Sequence, residues 1–228
     1  MYVPHFNAID DEAEIRALVA AVGTADLVTV ADDGFPVATL LPVLWEDARL
    51  VMHLARANPQ WRTLADGAPA LAVVTGPDAY VSPAWYPSKD EHGRVVPTWN
   101  YSQVHLTGRL TLHHDPAWLL DAVTRLTNRH EEARTDRWSV DDAPAPYVEK
   151  QLKAIVGLEL AVERVEAKAK LSQNRSEADR VGVVAGLRNE GGPAEAAVAA
   201  QMDSGRLGAT TPRVSRACPL PARSWRPA

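Results

Sequence analysis

The chain has 228 residues with a formal net charge of −5, 46% hydrophobic and 23% charged, the composition of a soluble globular protein. Its apolar runs, such as Leu71 to Val74, are far too short to cross a bilayer. The opening MYVPHFNAIDDEAE lacks the basic and apolar parts of a secretory signal, and the single Cys218 excludes an internal disulfide or multi-cysteine metal site, which points to the cytosol.

Tyr2 to Phe6 reads as an extended arm, because Pro4 bars a helix interior. Asp10 and Asp11 then start an amphipathic helix with Ile15, Leu18, Val19 and Val22 on one side, ended by Gly23 and placed to plug one end of a domain. Asp26 to Ala31, Pro36 to Trp45 and Arg49 to Ala55 follow as strands. Turns at Asp32-Asp33-Gly34 and Glu46-Asp47 join them, so an antiparallel meander is expected. Asn58 before Pro59 predicts a short helix closed by Gly67. Pro69 to Thr75 is a buried strand, and Gly76-Pro77-Asp78 reads as a turn.

The next stretch, Tyr80 to Leu110, predicts a hairpin with an aromatic, polar loop. Its first end, Tyr80 to Tyr86, is β-prone but broken by Pro83. Its second end alternates, with Val104, Leu106, Gly108, Leu110 and Leu112 on one face and Gln103, His105, Thr107 and Arg109 on the other. A helix from Ala117 to about Glu131 places Leu119, Leu120, Val123 and Leu126 together. A charged connection, a helical turn or two at Tyr147 to Ala154, and a bent or bulged strand at Ile155 to Lys168 come next. Ser176 and Asp179 have capping-box spacing before a helix ending at Gly191-Gly192, and an Ala-rich helix runs from Pro193 to about Met202. About seven strands with peripheral helices, and no crossover helix between the early strands, predict a closed or split β-barrel. Residues 1–190 form the expected barrel domain. Residues 191–228 form a helical extension and an unstructured arginine- and proline-rich tail. From Arg206 to Ala228 that tail carries five arginines and no acid, leaving −10 on the rest of the chain. So acidic a body is a poor partner for a phosphate backbone.

Three polar constellations stand at strand ends. In HLARANPQW, Arg56 and Asn58 precede the Pro59 helix, where free N–H groups and a guanidinium favour an anion; an ordinary solvated cap fits the same residues. The hairpin brings Trp85, Tyr86, Lys89, Trp99, Asn100, Tyr101 and Gln103 near one another, as a platform for a flat ligand or as barrel core and rim. KLSQNR, Lys170 to Arg175, is a second anion site or a polar helix entrance. Together they fit a phosphorylated, flat cofactor.

These residues resemble a family. YVSPAWYPSK, VPTWNYSQVHLTGRL, HLARANPQW and KLSQNRSEADRVGVVAGL, with the opening MYVPHFNA, are similar to the PaiB family of FMN-binding negative transcriptional regulators, in order over about residues 1–190. The resemblance implies an FMN-binding split β-barrel related to pyridoxamine phosphate oxidases and flavin reductases, a homodimer with FMN at its interface. It assigns Arg56, Asn58 and Gln60 to the phosphate region, and Thr39, Leu40, Leu41 and Pro42 to the isoalloxazine. Gln103 matches a strand glutamine that approaches FMN. Trp99, Asn100, Lys170, Gln173 and Arg175 occupy signature motifs. The segment after Glu190 is not covered.

The leading expectation is a flavin-linked regulator acting through a metabolite or partner, since no helix-turn-helix is evident. The alternative is a flavin-dependent oxidoreductase in which Tyr86, His105 or Lys89 touches a small-molecule substrate; without GxGxxG, a nicotinamide would bind in another way. Haem is a third reading, with His53 or His105 as ligand. No GxSxG elbow or paired His/Cys spacing argues for a hydrolase or zinc.

Overall fold

The computed structural model describes residues 1–205 and Leu207; the rest of the arginine- and proline-rich tail, with Cys218, lies outside the described residues. One sheet carries seven strands: β1 (Thr24–Val30), β2 (Pro36–Pro42), β3 (Leu44–Glu46), β4 (Arg49–Ala55), β5 (Ala68–Val81), β6 (Thr98–His113) and β7 (Ile155–Lys170). Their spatial order is β2-β1-β5-β6-β7-β4-β3, and each neighbouring pair is antiparallel.

That order forces closure. β2 and β3 are the two edges, yet only Val43 separates them in sequence. Seven flat strands would put those edges about 29 Å apart at the usual strand spacing. Two Cα steps span at most about 7 Å. The sheet must therefore curl until its edges meet, and no ladder joins β2 to β3 or β4, which leaves the barrel split there. This corrects the expected meander: β1 pairs with β2, but β4 pairs with β7 and β3. The break falls where Pro42 offers no N–H and the Val43 N–H turns to the Gly23 carbonyl at 3.1 Å. Pro36 to Trp45 is thus two strands.

Alternation filled the barrel as expected along β6, where Val104, Leu106 and Leu110 are fully buried, with Leu27, Met52, Val74, Leu158 and Leu160 facing them. Helix α1 (Glu12–Val22) plugs the interior with Ile15, Leu18, Val19 and Val22. Asp11 caps it through Ala13 N and Glu14 N, and Gly23 ends it at φ 68°.

Several local expectations fail for tertiary reasons. Gly76-Pro77-Asp78 is a bulge within β5, not a turn, because the β5–β6 ladder resumes at Asp78↔Tyr101. The segment after Asn58 forms a five-residue 3-10 helix, Pro59–Thr63, and Gly67 at φ 75° lies beyond its end. The first hairpin arm leaves the sheet at Val81, where Pro83–Trp85 forms a 3-10 turn before the short helix α2 (Ser88–His92). Helix α3 (Pro116–Glu131) buries Leu119, Ala122 and Leu126 but leaves Leu120 exposed. The bulge expected in the last strand is present: the β6–β7 register slips between Thr107 and Gly108.

After α4 (Ala145–Leu152) and β7, helices α5 (Glu177–Glu190) and α6 (Pro193–Ser204) cover the end of the barrel nearest the hairpin loop. Val183, Leu187, Val198 and Met202 belong to the same core as the barrel. Their close approach depends on Gly182 and Gly186, where a Cβ would meet the Trp85 carbonyl at 2.1 Å and the Trp85 ring at 2.2 Å.

Candidate functional site

The residues singled out from the sequence fall into two groups. The first ties β1, β2 and the 3-10 helix together. Gln60 is buried, and its Nε2 donates to Leu27 O at 3.2 Å, Thr29 Oγ1 at 3.0 Å and Val37 O at 3.3 Å. Thr39 Oγ1 donates to Gln60 Oε1 at 2.6 Å and accepts from Asn58 Nδ2 at 3.0 Å, while Asn58 Oδ1 caps Gln60 N at 2.9 Å. Gln60 is therefore a clamp between strands. Beside it, Leu41 is buried but Leu40 is 62% exposed, so β2 presents an apolar side chain on its outer face.

Arg56 stands at the end of β4. Its Nε donates to Lys153 O and its Nη2 to Ile155 O, each at 2.9 Å, and its guanidinium lies 5.8 Å from the Trp61 ring. Arg56, His114, Leu119, Glu149 and Leu152 line a cavity of about 450 Å³. Two of the three guanidinium nitrogens are thus committed to backbone carbonyls.

The second group lies at the far end of β6 and β7. Tyr80 and Trp99 face each other across the β5–β6 ladder, edge to face at 6.2 Å, and Trp99 is 52% exposed. Asn100 points inward, fully buried, and donates to Ser172 Oγ at 3.0 Å and Met202 Sδ at 3.4 Å. Ser172 holds a left-handed φ of 61°, which turns KLSQNR back across the barrel end. Gln173 Oε1 accepts from Leu171 N at 2.7 Å. Lys170 Nζ donates to Trp99 O at 2.6 Å and to Thr98 Oγ1. Arg175 lies 4.7 Å over the ring of Tyr86, whose buried hydroxyl makes no hydrogen bond of good geometry. Gln103 projects from the outer face of β6 between Thr75 and Lys168.

Electrostatics mark the second group. Burial lowers the Lys170 pKa, and the charges of Lys168 and Arg175 lower it further. Burial raises the Tyr86 pKa, against the pull of Arg175. Burial alone would raise the Asp179 pKa. Hydrogen bonds from Ser88 N at 3.1 Å and Ser88 Oγ at 2.9 Å, with the charge of Arg175, hold it below the usual range.

The two groups are not adjacent on one chain. Thr39 stands level with Leu106 through Leu27 and Ala72; along β6 from Leu106, Gln103 lies three residues away, about 10 Å of strand, and Trp99 seven, about 23 Å. Tyr86, Lys89 and His105 do not converge either: Tyr86 is buried at the barrel end, Lys89 is exposed on α2, and His105 is half-buried on the outer face of β6. His53 Nδ1 is buried without a partner, and burial lowers its pKa. Among the described residues, no three His, Cys, Asp or Glu side chains converge on a metal position.

Sequence reasoning passed over Lys168. It is 8% exposed, and its Nζ lies 5.2 Å from the Tyr101 ring and 5.8 Å from the Tyr2 ring. The signal was there: strand alternation puts Lys168 on the same face as Lys170. The residues present fit a flavin phosphate ester in kind. They offer exposed aromatic and aliphatic side chains for a ring system, and partly buried cations for an anion.

The split barrel is a fold found in solved structures. Two solved structures share it: an FAD- and heme-binding protein of Mycobacterium smegmatis (TM-score 0.57, 22% identity, 77% of this chain and 78% of that one) and a flavocytochrome of Azotobacter vinelandii (TM-score 0.58, 19% identity, 78% and 76%). Residues 1–164 match the family described as "Putative FMN-binding domain". "Protease synthase and sporulation protein PAI 2" of Bacillus subtilis is 34% identical over 197 residues, covering 85% of this chain and 92% of that protein. The chain belongs to this FMN-binding, PaiB-type family, and its cofactor class is a flavin.

Proposed function

We propose that this protein is a flavin-linked regulator that works as a homodimer, with FMN held between protomers. The observation that carries the reading is the family match across residues 1–164, which spans nearly the whole barrel. The separation of the two residue groups supports the dimer. The Thr39–Pro42 strand of one protomer and the Trp99–Gln103 face of its partner would together enclose one ring system. Gln60 and Asn100, both buried, hold the strands that carry those contacts. Bound FMN would supply electron-transfer chemistry; the protein supplies position, exclusion of water and charge.

An acidic body disfavours direct reading of DNA, so regulation runs through a metabolite or protein partner. A cytosolic location fits the single cysteine, and no helix among the described residues is long and apolar enough to cross a membrane. The test is the absorbance spectrum of the purified protein during FMN titration, with its mass in solution. A shifted flavin band and a dimer are expected. A Soret band in the purified protein, or no change on adding FMN, refutes the cofactor assignment. Rapid oxidation of reduced nicotinamide by the FMN-loaded protein would turn the regulator into a reductase.

A further inference from the structure

The cavity at the end of β4 collects charges of both signs that do not meet one another. It measures about 450 Å³ and lies between β4, the start of α3 and the end of α4. Arg56, His114, Glu149 and Lys153 line it, with Pro116, Leu119 and Leu152 as its apolar part, and the two leucines are buried. Arg56 is fixed in place: its Nε and Nη2 donate to the carbonyls of Lys153 and Ile155, while Nη1 bonds nothing among the described residues. His114 is set edge to face on Trp61 at 5.6 Å. Among the described residues Glu149 forms no ion pair with Arg56, His114 or Lys153, although all four border one space. It precedes Lys153 by four residues, the spacing at which Glu12 meets Arg16 and Asp121 meets Arg125.

Size and charge together select the ligand. A cavity of about 450 Å³ is at the small end of ligand sites. Glu149 opposes a phosphate dianion, and Arg56 with Lys153 opposes a simple amine. A molecule carrying one charge of each sign satisfies both sides, and the apolar wall calls for a hydrocarbon part. The cavity also faces away from the strand assigned above to the flavin ring: Arg56 reaches toward α4 and β7, whereas Asn58 and Gln60 reach toward β1 and β2. We propose that this cavity binds an apolar α-amino acid, with its carboxylate on Arg56 and Lys153, its ammonium on Glu149, and its side chain against Pro116, Leu119 and Leu152. A guanidinium already held by two carbonyls loses little freedom on meeting a carboxylate. The site stands without the flavin assignment; only its regulatory meaning, as the metabolite site of a flavin-linked regulator, rests on that reading.

The test is titration calorimetry on the full-length protein as purified, with L-leucine, L-methionine and L-phenylalanine as probes. Two fragments of leucine, isocaproate and isoamylamine, keep one charge each. Saturable binding of at least one amino acid is expected, about tenfold or more tighter than either fragment. Glu149→Gln, at an exposed helix position, should weaken that amino acid about tenfold or more and leave isocaproate at its wild-type affinity or tighter. Arg56→Gln, its folding checked by urea midpoint, should weaken the amino acid and isocaproate alike. No binding by any of the three amino acids overturns the proposal. So does an affinity that Glu149→Gln leaves unchanged, or a fragment that binds as tightly as its amino acid. FMN and riboflavin titrated into Arg56→Gln supply the last arm: loss of the FMN preference with unaltered amino-acid binding would return Arg56 to the phosphate and overturn the proposal. Amino-acid binding in a protein that takes up no flavin would sink the FMN reading and leave this site standing.

Discussion

Gln60→Ala tests whether this residue serves the strands or the ligand. Its amide engages four partners in a residue only 4% exposed: the two Nε2 hydrogens are shared among Leu27 O, Thr29 Oγ1 and Val37 O, and Oε1 accepts from Thr39 Oγ1. Each polar group left buried and unsatisfied costs about 1–3 kcal/mol. Thr39 keeps Asn58 as a partner, and water can enter part of the space, so the four costs do not simply add. A net loss of about 2–4 kcal/mol is expected. With a urea slope of about 2 kcal/mol/M, the unfolding midpoint should fall by about 1–2 M. Chemical denaturation followed by tryptophan fluorescence reads this directly, with flavin affinity measured alongside at low denaturant. An unchanged midpoint together with weaker FMN binding would refute the clamp and make Gln60 a ligand contact.

Three further outcomes are expected. Gly186→Ala places a Cβ about where the Trp85 ring lies; overpacking of about 1–3 kcal/mol should outweigh the roughly 1 kcal/mol gain in helix propensity, and a raised melting temperature would show that α5 does not seat on Trp85. Asp179→Ala leaves Ser88 N without its acceptor, so amide exchange across Ser88–His92 should quicken and global stability drop by about 1–3 kcal/mol; unaltered exchange there would contradict the anchor. His53, His105 and His113 all have pKa values held below their ordinary 6.5, chiefly by burial. The folded state therefore binds protons less readily than the unfolded one. Stability should fall as pH drops below about 6.5 and level off beneath the folded pKa values, and His53→Asn should flatten that slope in urea midpoints measured from pH 8 to pH 5.

Much was readable in the chain itself because it depends on neighbours in sequence. Asp11 and Gly23 bound α1, Ser176 caps α5 through Asp179 N, and the alternation of Val104, Leu106 and Leu110 marks the inner face of β6. The motifs at Arg56–Gln60, Trp99–Gln103 and Lys170–Arg175 were visible as polar clusters, and their order carried the family resemblance. Pairing across distance was not readable. Val43 looks like the middle of one strand, yet it is where the chain leaves one edge of the sheet for the other, because closure of the barrel decides which strands are neighbours. Gly76-Pro77-Asp78 has the composition of a turn, but a ladder continuing on both sides makes it a bulge. Likewise, nothing local distinguishes Gln60, whose amide is consumed inside the barrel, from Lys168 and Lys170, which pair with no carboxylate among the described residues. A side chain's type is written in the sequence; whether its charge or hydrogen-bonding capacity is spent on the fold or left for a ligand depends on residues that only folding brings beside it.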